Sequence, residues 1–208
     1  YTAIQLPTEE LDPVSYKMYR LGFLASSRDG KELYFTNLNE AITEELVKRR
    51  MARSLTDPIF AEEVARNEEI RHYFKGARLP DGGLLFTDDT LFAEATGRDQ
   101  TGAVITKLSL DPEIKWEVGR KTFGYFEERK ILNKLVDKIF EHNQEKYNST
   151  AQVFDLFAKA MLSGNLLPVG KIIDKTFGAG TFRTIARFDK ELDKLKAFVE
   201  NLTKARPV

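Results

Sequence analysis

The tightest local constraint on this chain lies at Gly178-Ala-Gly180, where one helical run stops and Thr181 caps the next. Glycine reaches backbone conformations that other residues avoid, so two within three positions favour a corner over a continuous helix. Before the corner, Leu167-Pro168 restarts the chain and Val169 to Phe177 reads as a short helix. After it, Ile185, Phe188, Leu192, Leu195, Val199 and Leu202 recur at alternating spacings of three and four. That is a heptad seam. It predicts one helix over 182–203 that packs on the chain's own helices or pairs with a second copy in a homodimer.

Two helices joined by a short Gly-containing turn are the pattern of a helix-turn-helix, whose second helix enters the major groove of double-stranded DNA. If Ile185, Phe188 and Leu192 face inward, then Arg183, Thr184, Arg187 and Lys190 face outward. Arginine can bridge both major-groove acceptors of guanine, and threonine can contact a base or a phosphate. Lys171, Lys175 and the amides of residues 179–182 are candidate phosphate ligands at a helix N-terminus. Asp189, Glu191 and Asp193 place acid further along, which confines a DNA-reading surface to the first two turns. The competing reading is two antiparallel helices that close a bundle, with Gly180-Thr181 as an ordinary cap.

The stretch from Ala160 to Ile185 combines a helix ending in Gly164, a Pro168-led second helix, the Phe177-Gly178-Ala179-Gly180-Thr181 corner and Thr184-Ile185 early in the third helix. In this it resembles the DNA-binding domain of the KfrA-type plasmid proteins over residues 155–192. The resemblance implies sequence-dependent binding of double-stranded DNA, dimerisation through a following coiled coil, and a regulatory or maintenance role of the plasmid or phage kind. By position it implies base or phosphate contacts for Thr181, Arg183, Thr184 and Arg187.

Charge supports the location more than the activity. The chain carries 32 Lys+Arg and 32 Asp+Glu, which excludes a strongly basic protein. Residues 149–208 hold ten Lys+Arg against six Asp+Glu, a sign that suits a C-terminal anion-binding module. There is no cysteine, so disulfides and thiolate metal sites are excluded, and a cytoplasmic setting is expected. No apolar run approaches a membrane span.

The first 148 residues read as an interaction or assembly domain. Helices are predicted at about 13–26, 39–54 and 58–74, with a short strand within 31–36. Runs at 84–87, 90–95 and 103–110 predict a small antiparallel meander. From about Thr122 the chain reads as helical again to Tyr147, with a turn and cap at Asn148-Ser-Thr150 and a further helix ending at Gly164. The fold class expected is therefore mainly α with a small antiparallel β-meander, divided at 148/149.

Other constellations are weaker. Lys48-Arg49-Arg50 with Arg53 could hold phosphate, but such a run is commonly a solvated helix end. Glu69 and His72 are spaced as metal ligands, yet a di-metal bundle needs a second such pair, which is absent. Asp81, Asp88, Asp89 and Glu94 with Lys107 raise a metal-dependent nuclease as a second alternative to DNA binding, after a helical interaction or structural protein. No Gly-x-Ser-x-Gly elbow and no phosphate-loop glycine pattern occurs. A non-enzyme without cofactor or metal is expected.

Overall fold

Two short strands fold back on each other at Gly22-Phe23, where Leu21 faces Leu24 across the pair. Gly22 takes a left-handed φ of +60°, and a Cβ there would lie 2.9 Å from Asn39 Oδ1. That same oxygen accepts the Phe23 N–H at 2.9 Å, so the glycine lets a helix side chain hold the turn. The computed structural model describes residues 3–7, 16–27, 29–79, 82–105 and 107–203, with side chains from Leu21 onward. Its first four strands, β1 (Ala3–Pro7), β2 (Tyr16–Leu21), β3 (Leu24–Ser26) and β4 (Leu33–Tyr34), form an antiparallel sheet in sequential order. The helix expected at 13–26 is therefore corrected to strand at 16–21 and 24–26, while 13–15 lie outside the described residues. A two-residue Gly turn between apolar runs is a hairpin signal, and here it outweighs helical spacing.

Seven α-helices and a second antiparallel sheet complete the described chain, so it is mainly α with two small sheets. The helices are α1 (Thr36–Ser54), α2 (Ala61–Tyr73), α3 (Phe126–Glu141), α4 (Thr150–Ser163), α5 (Leu167–Phe177), α6 (Thr181–Phe188) and α7 (Leu192–Glu200). The second sheet joins β5 (Thr90–Arg98), β6 (Val104–Ile105) and β7 (Lys115–Thr122) in the order β6-β5-β7. The meander thus differs from expectation. Leu84 makes only an isolated bridge to Arg78, residues 107–110 are not strand, and Thr106 lies outside the described residues. The third strand is β7, whose half-buried Trp116, Val118 and Arg120 alternate with exposed residues.

The chain divides into two units: Tyr1–Leu46 with Tyr125–Val208, and Val47–Gly124. The expected boundary at 148/149 therefore falls inside the helical unit, because α3 packs on α4 and α7 around one core. Phe23, Phe154, Phe157, Leu132, Leu135, Ile139 and Ile173 are its largest fully buried side chains together with Ile42 and Ile185. Ser149 caps α4 by accepting the Gln152 N–H, and Gly164 ends it in the left-handed region.

The heptad seam lies in this core too. Ile185, Leu195, Val199 and Leu202 are buried, with Phe188 and Leu192 packed against them. The single helix expected over 182–203 is interrupted at Asp189–Glu191, between α6 and α7. Asp189 explains the break. Its carboxylate accepts the Asn37 and Leu38 N–H groups, each at 2.9 Å, and so caps α1 from a distant part of the chain. Of the two arrangements the heptad spacing allows, packing on the chain's own helices or pairing with a second copy, the described seam residues adopt the first.

In the smaller unit, Asn67 of α2 is held to β5, donating to Leu91 O at 3.2 Å and accepting the Ala93 N–H at 3.3 Å. Gly97 faces Trp116 across the β5–β7 pair, and a Cβ at Gly97 would lie 2.7 Å from the indole ring. Gly97→Ala is expected to displace Trp116 and cost about 1–3 kcal/mol. Trp116 is the one tryptophan in the sequence. Its fluorescence during urea unfolding therefore reports both effects, and an unshifted spectrum with unchanged stability would contradict this packing. Among the described residues no helix is long and apolar enough to cross a membrane.

Candidate nucleic-acid interface

Helix α5 opens with Pro168 in its first turn and buries Val169, Gly170, Ile172, Ile173 and Thr176. That inward face leaves Lys171 and Lys175, four residues apart, exposed on the other side. The chain then turns through Gly178 and Gly180, at φ +109° and +88°. An L-residue rarely adopts either value, so both glycines are required by the corner. Helix α6 follows and buries Ile185. Arg183 and Arg187 are exposed on its outer face, as is Lys190 just past its end. None of these five cations forms an ion pair among the described residues.

The two threonines are placed differently from expectation. Thr181 is buried, and its hydroxyl donates to Gly178 O at 2.7 Å. It does not cap α6 through its side chain, the N-cap being Gly180, and its hydroxyl is turned to the chain's own backbone. Thr184 is half-buried, and its hydroxyl donates to Gly180 O at 3.1 Å. The expected phosphate seat at the amides of 179–182 is also partly taken. Asp174 Oδ1 accepts the Phe182 N–H at 2.8 Å, where an external anion would otherwise bind. The anion-binding potential of this corner therefore rests on side chains.

The acids behind α6 are less opposed to a polyanion than their spacing suggests. Asp189 is fully buried against the start of α1. Burial pushes its carboxyl above the usual aspartate range, against the pull of the Asn37 and Leu38 amides. Glu191 pairs with Lys194. Asp193 is exposed in the first turn of α7.

The sequence reading missed the other wall of this site. Phe182 stacks on Phe35 with ring centroids 4.7 Å apart, which sets α6 beside the β3–β4 hairpin. A groove runs between them as three hollows of 180, 390 and 610 Å³ that share lining residues. Lys190 and Arg187 line the first, Arg187 and Arg183 the second, and Lys171 the third. Ala25, Phe35 and Phe182 form the floor common to the two larger hollows. On the hairpin side the Tyr34 hydroxyl donates to Glu32, and this bond to a carboxylate holds the phenol above its ordinary range, with burial adding to it. No local signal joins residues 25–35 to residues 182–187. The stacking of two phenylalanines far apart in sequence does it.

The remaining constellations do not assemble. Lys48 pairs with Asp89 at 2.7 Å, which ties one cation of the 48–53 run to the second unit's own acid. Glu94 pairs with Lys121 at 3.3 Å on the exposed face of the β5–β7 sheet. Asp81 lies outside the described residues. Among the described residues no three His, Asp or Glu side chains are grouped to hold a metal. No family model, curated protein or solved structure matches the chain.

Proposed function

We propose that this chain is a non-catalytic double-stranded DNA-binding protein with a regulatory or maintenance role, acting through α5, the Gly178–Gly180 corner and α6 as a helix-turn-helix. The observation that carries the reading is that Lys171, Lys175, Arg183 and Arg187 on two consecutive helices, with Lys190 just past the second, are exposed and form no ion pair among the described residues. Cations that a fold leaves exposed and without internal partners are available to neutralise phosphates and release counterions. The resemblance of residues 155–192 to the KfrA-type domain and the positive balance of residues 149–208 point the same way.

The test is a mobility shift on duplex DNA across a salt series. Arg183→Ala with Arg187→Ala is expected to weaken binding about 10–100-fold and to lower the salt slope by about 2. Both side chains are exposed, so the variant's urea midpoint is expected to stay at the wild-type value. Wild-type affinity absent at low salt, or untouched by the double substitution, overturns the reading. The second reading, a helical interaction protein without nucleic-acid binding, is favoured by the groove beside α6, which a duplex does not fill.

A further inference from the structure

We infer that the groove between α5–α6 and the β3–β4 hairpin docks an extended acidic peptide of a partner protein, with carboxylates at alternate positions and apolar side chains between them. The inference shares Arg183 and Arg187 with the DNA reading and does not depend on it.

The groove's shape selects a single extended chain. Its three hollows lie end to end, between a helix wall and a strand wall, and share Tyr34, Arg187, Ala25 and Phe182 as joints. Their floor is apolar: Ala25, Phe35, Phe182 and Ala186 meet there. One rim is cationic, with Lys171, Arg183, Arg187 and Lys190 along the helices and none of them paired within the chain among the described residues. Two carboxylates, Glu32 in the first hollow and Asp174 in the third, share the lining with these four cations, which outnumber them. Glu32 accepts the Tyr34 hydroxyl and Asp174 accepts the Phe182 N–H.

Spacing supports an alternating peptide. Arg183 and Arg187 are one helical step of four apart, a rise of about 6 Å. In an extended peptide, residues i and i+2 project to the same side about 6.7 Å apart. Two such carboxylates can each meet one guanidinium in a charge-assisted, bidentate geometry. The residue between them points to the opposite face, toward the floor at Ala25, Phe35 and Phe182. A single-stranded nucleic acid has a similar charge spacing, but it draws its sequence-independent affinity from bases stacked on open aromatic faces. Here the Phe182 ring is stacked on Phe35 and meets Phe23 edge-on, and Gly170 packs so close that a Cβ there would lie 3.0 Å from it. Gly170 thus lets α5 close over the ring, and Phe182 is a floor rather than a stacking platform.

The probe is a fluorescein-labelled peptide, Gly-Glu-Leu-Glu-Leu-Glu-Gly, titrated by anisotropy against the full chain at two salt concentrations. Its isomer with the three Glu contiguous and the two Leu adjacent has the same charge and composition. The alternating peptide is expected to bind at least about tenfold more tightly than the isomer, and less tightly as salt rises. Arg183→Ala with Arg187→Ala is expected to remove about tenfold or more of that affinity. Equal binding of the two peptides, affinity unchanged by the arginine substitutions, or no binding at millimolar peptide overturns the inference. So does an eight-nucleotide oligothymidine that displaces the peptide and binds more tightly, which would make the groove a nucleic-acid channel. Duplex DNA is measured in parallel with the same protein. A duplex shift without peptide binding sinks this inference alone, and peptide binding without a duplex shift sinks the DNA reading alone.

Discussion

Replacing Arg129 by alanine is expected to destabilise the larger unit by about 3–5 kcal/mol. Arg129 of α3 and Glu45 of α1 are nearly inaccessible, at 3% and 6% exposure, and their charged atoms lie 3.6 Å apart. Burying either charge alone is costly, because the lost hydration is returned only by the partner. Arg129→Ala removes this cation from beside the buried Glu45 carboxylate. Glu45→Ala is expected to have a comparable effect for the converse reason. The double replacement Arg129→Met with Glu45→Leu is expected to return stability to within about 1 kcal/mol of wild type, since two apolar side chains need no compensating charge. Urea unfolding followed by far-UV circular dichroism measures all three. A single alanine variant within 1 kcal/mol of wild type would show that solvent reaches the pair.

The second large effect is expected at Asp189. Asp189→Ala removes the acceptor for two backbone N–H groups at the start of α1 and leaves them in a dry setting. Loss of a cap and of buried hydrogen bonds is expected to cost about 2–3 kcal/mol. The cost depends on pH in a direction that burial determines. Burial raises the folded carboxyl above the ordinary aspartate range, so the folded chain holds this proton more readily than the unfolded chain. The stability linked to the group is fully present below the unfolded pKa and is lost as pH rises through the raised folded pKa. The penalty of Asp189→Ala is therefore expected to be larger at pH 4 than at pH 8. Unfolding free energies of both proteins at the two pH values check this, and a penalty that grows with pH would mean that the amides outweigh burial.

Asp189 also illustrates how unevenly the fold can be read from the chain. Its partners, Asn37 and Leu38, are 152 and 151 residues away, and no local pattern announces a cap supplied from that distance. The heptad spacing keeps its phase across Asp189–Glu191, so the interruption between α6 and α7 is invisible to periodicity, although the inward positions themselves were legible. Strand β7 was hidden for a different reason: its alternation is carried by Trp116, Val118 and Arg120 among charged residues, too polar to register as a strand. Elements whose signals are local fared better. Helix α4 has its Ser149 cap and its Gly164 stop. The Gly178–Gly180 corner has backbone angles that need glycine. For the candidate site, the exposure of Arg183 and Arg187 follows from the placing of Ile185 and was readable. The hairpin wall was not, because it is brought to α6 by the packing of Phe35 on Phe182.

The nesting of one unit within the other has a consequence for synthesis on the ribosome. The larger unit begins before residue 47 and resumes at residue 125. Phe23 finds its stacked partner in Phe157, 6.1 Å away between ring centroids. At typical elongation rates the segment between them takes on the order of ten seconds to emerge. Throughout that interval Phe23, Phe35, Leu38 and Ile42 lack the helices that cover them in the finished core. The inserted unit, residues 47–124, has left the ribosome in full while the first sheet still waits. The nascent chain thus carries an apolar hairpin that only its own C-terminal helices can cover, which makes this the stage of its life most exposed to aggregation and most dependent on chaperones.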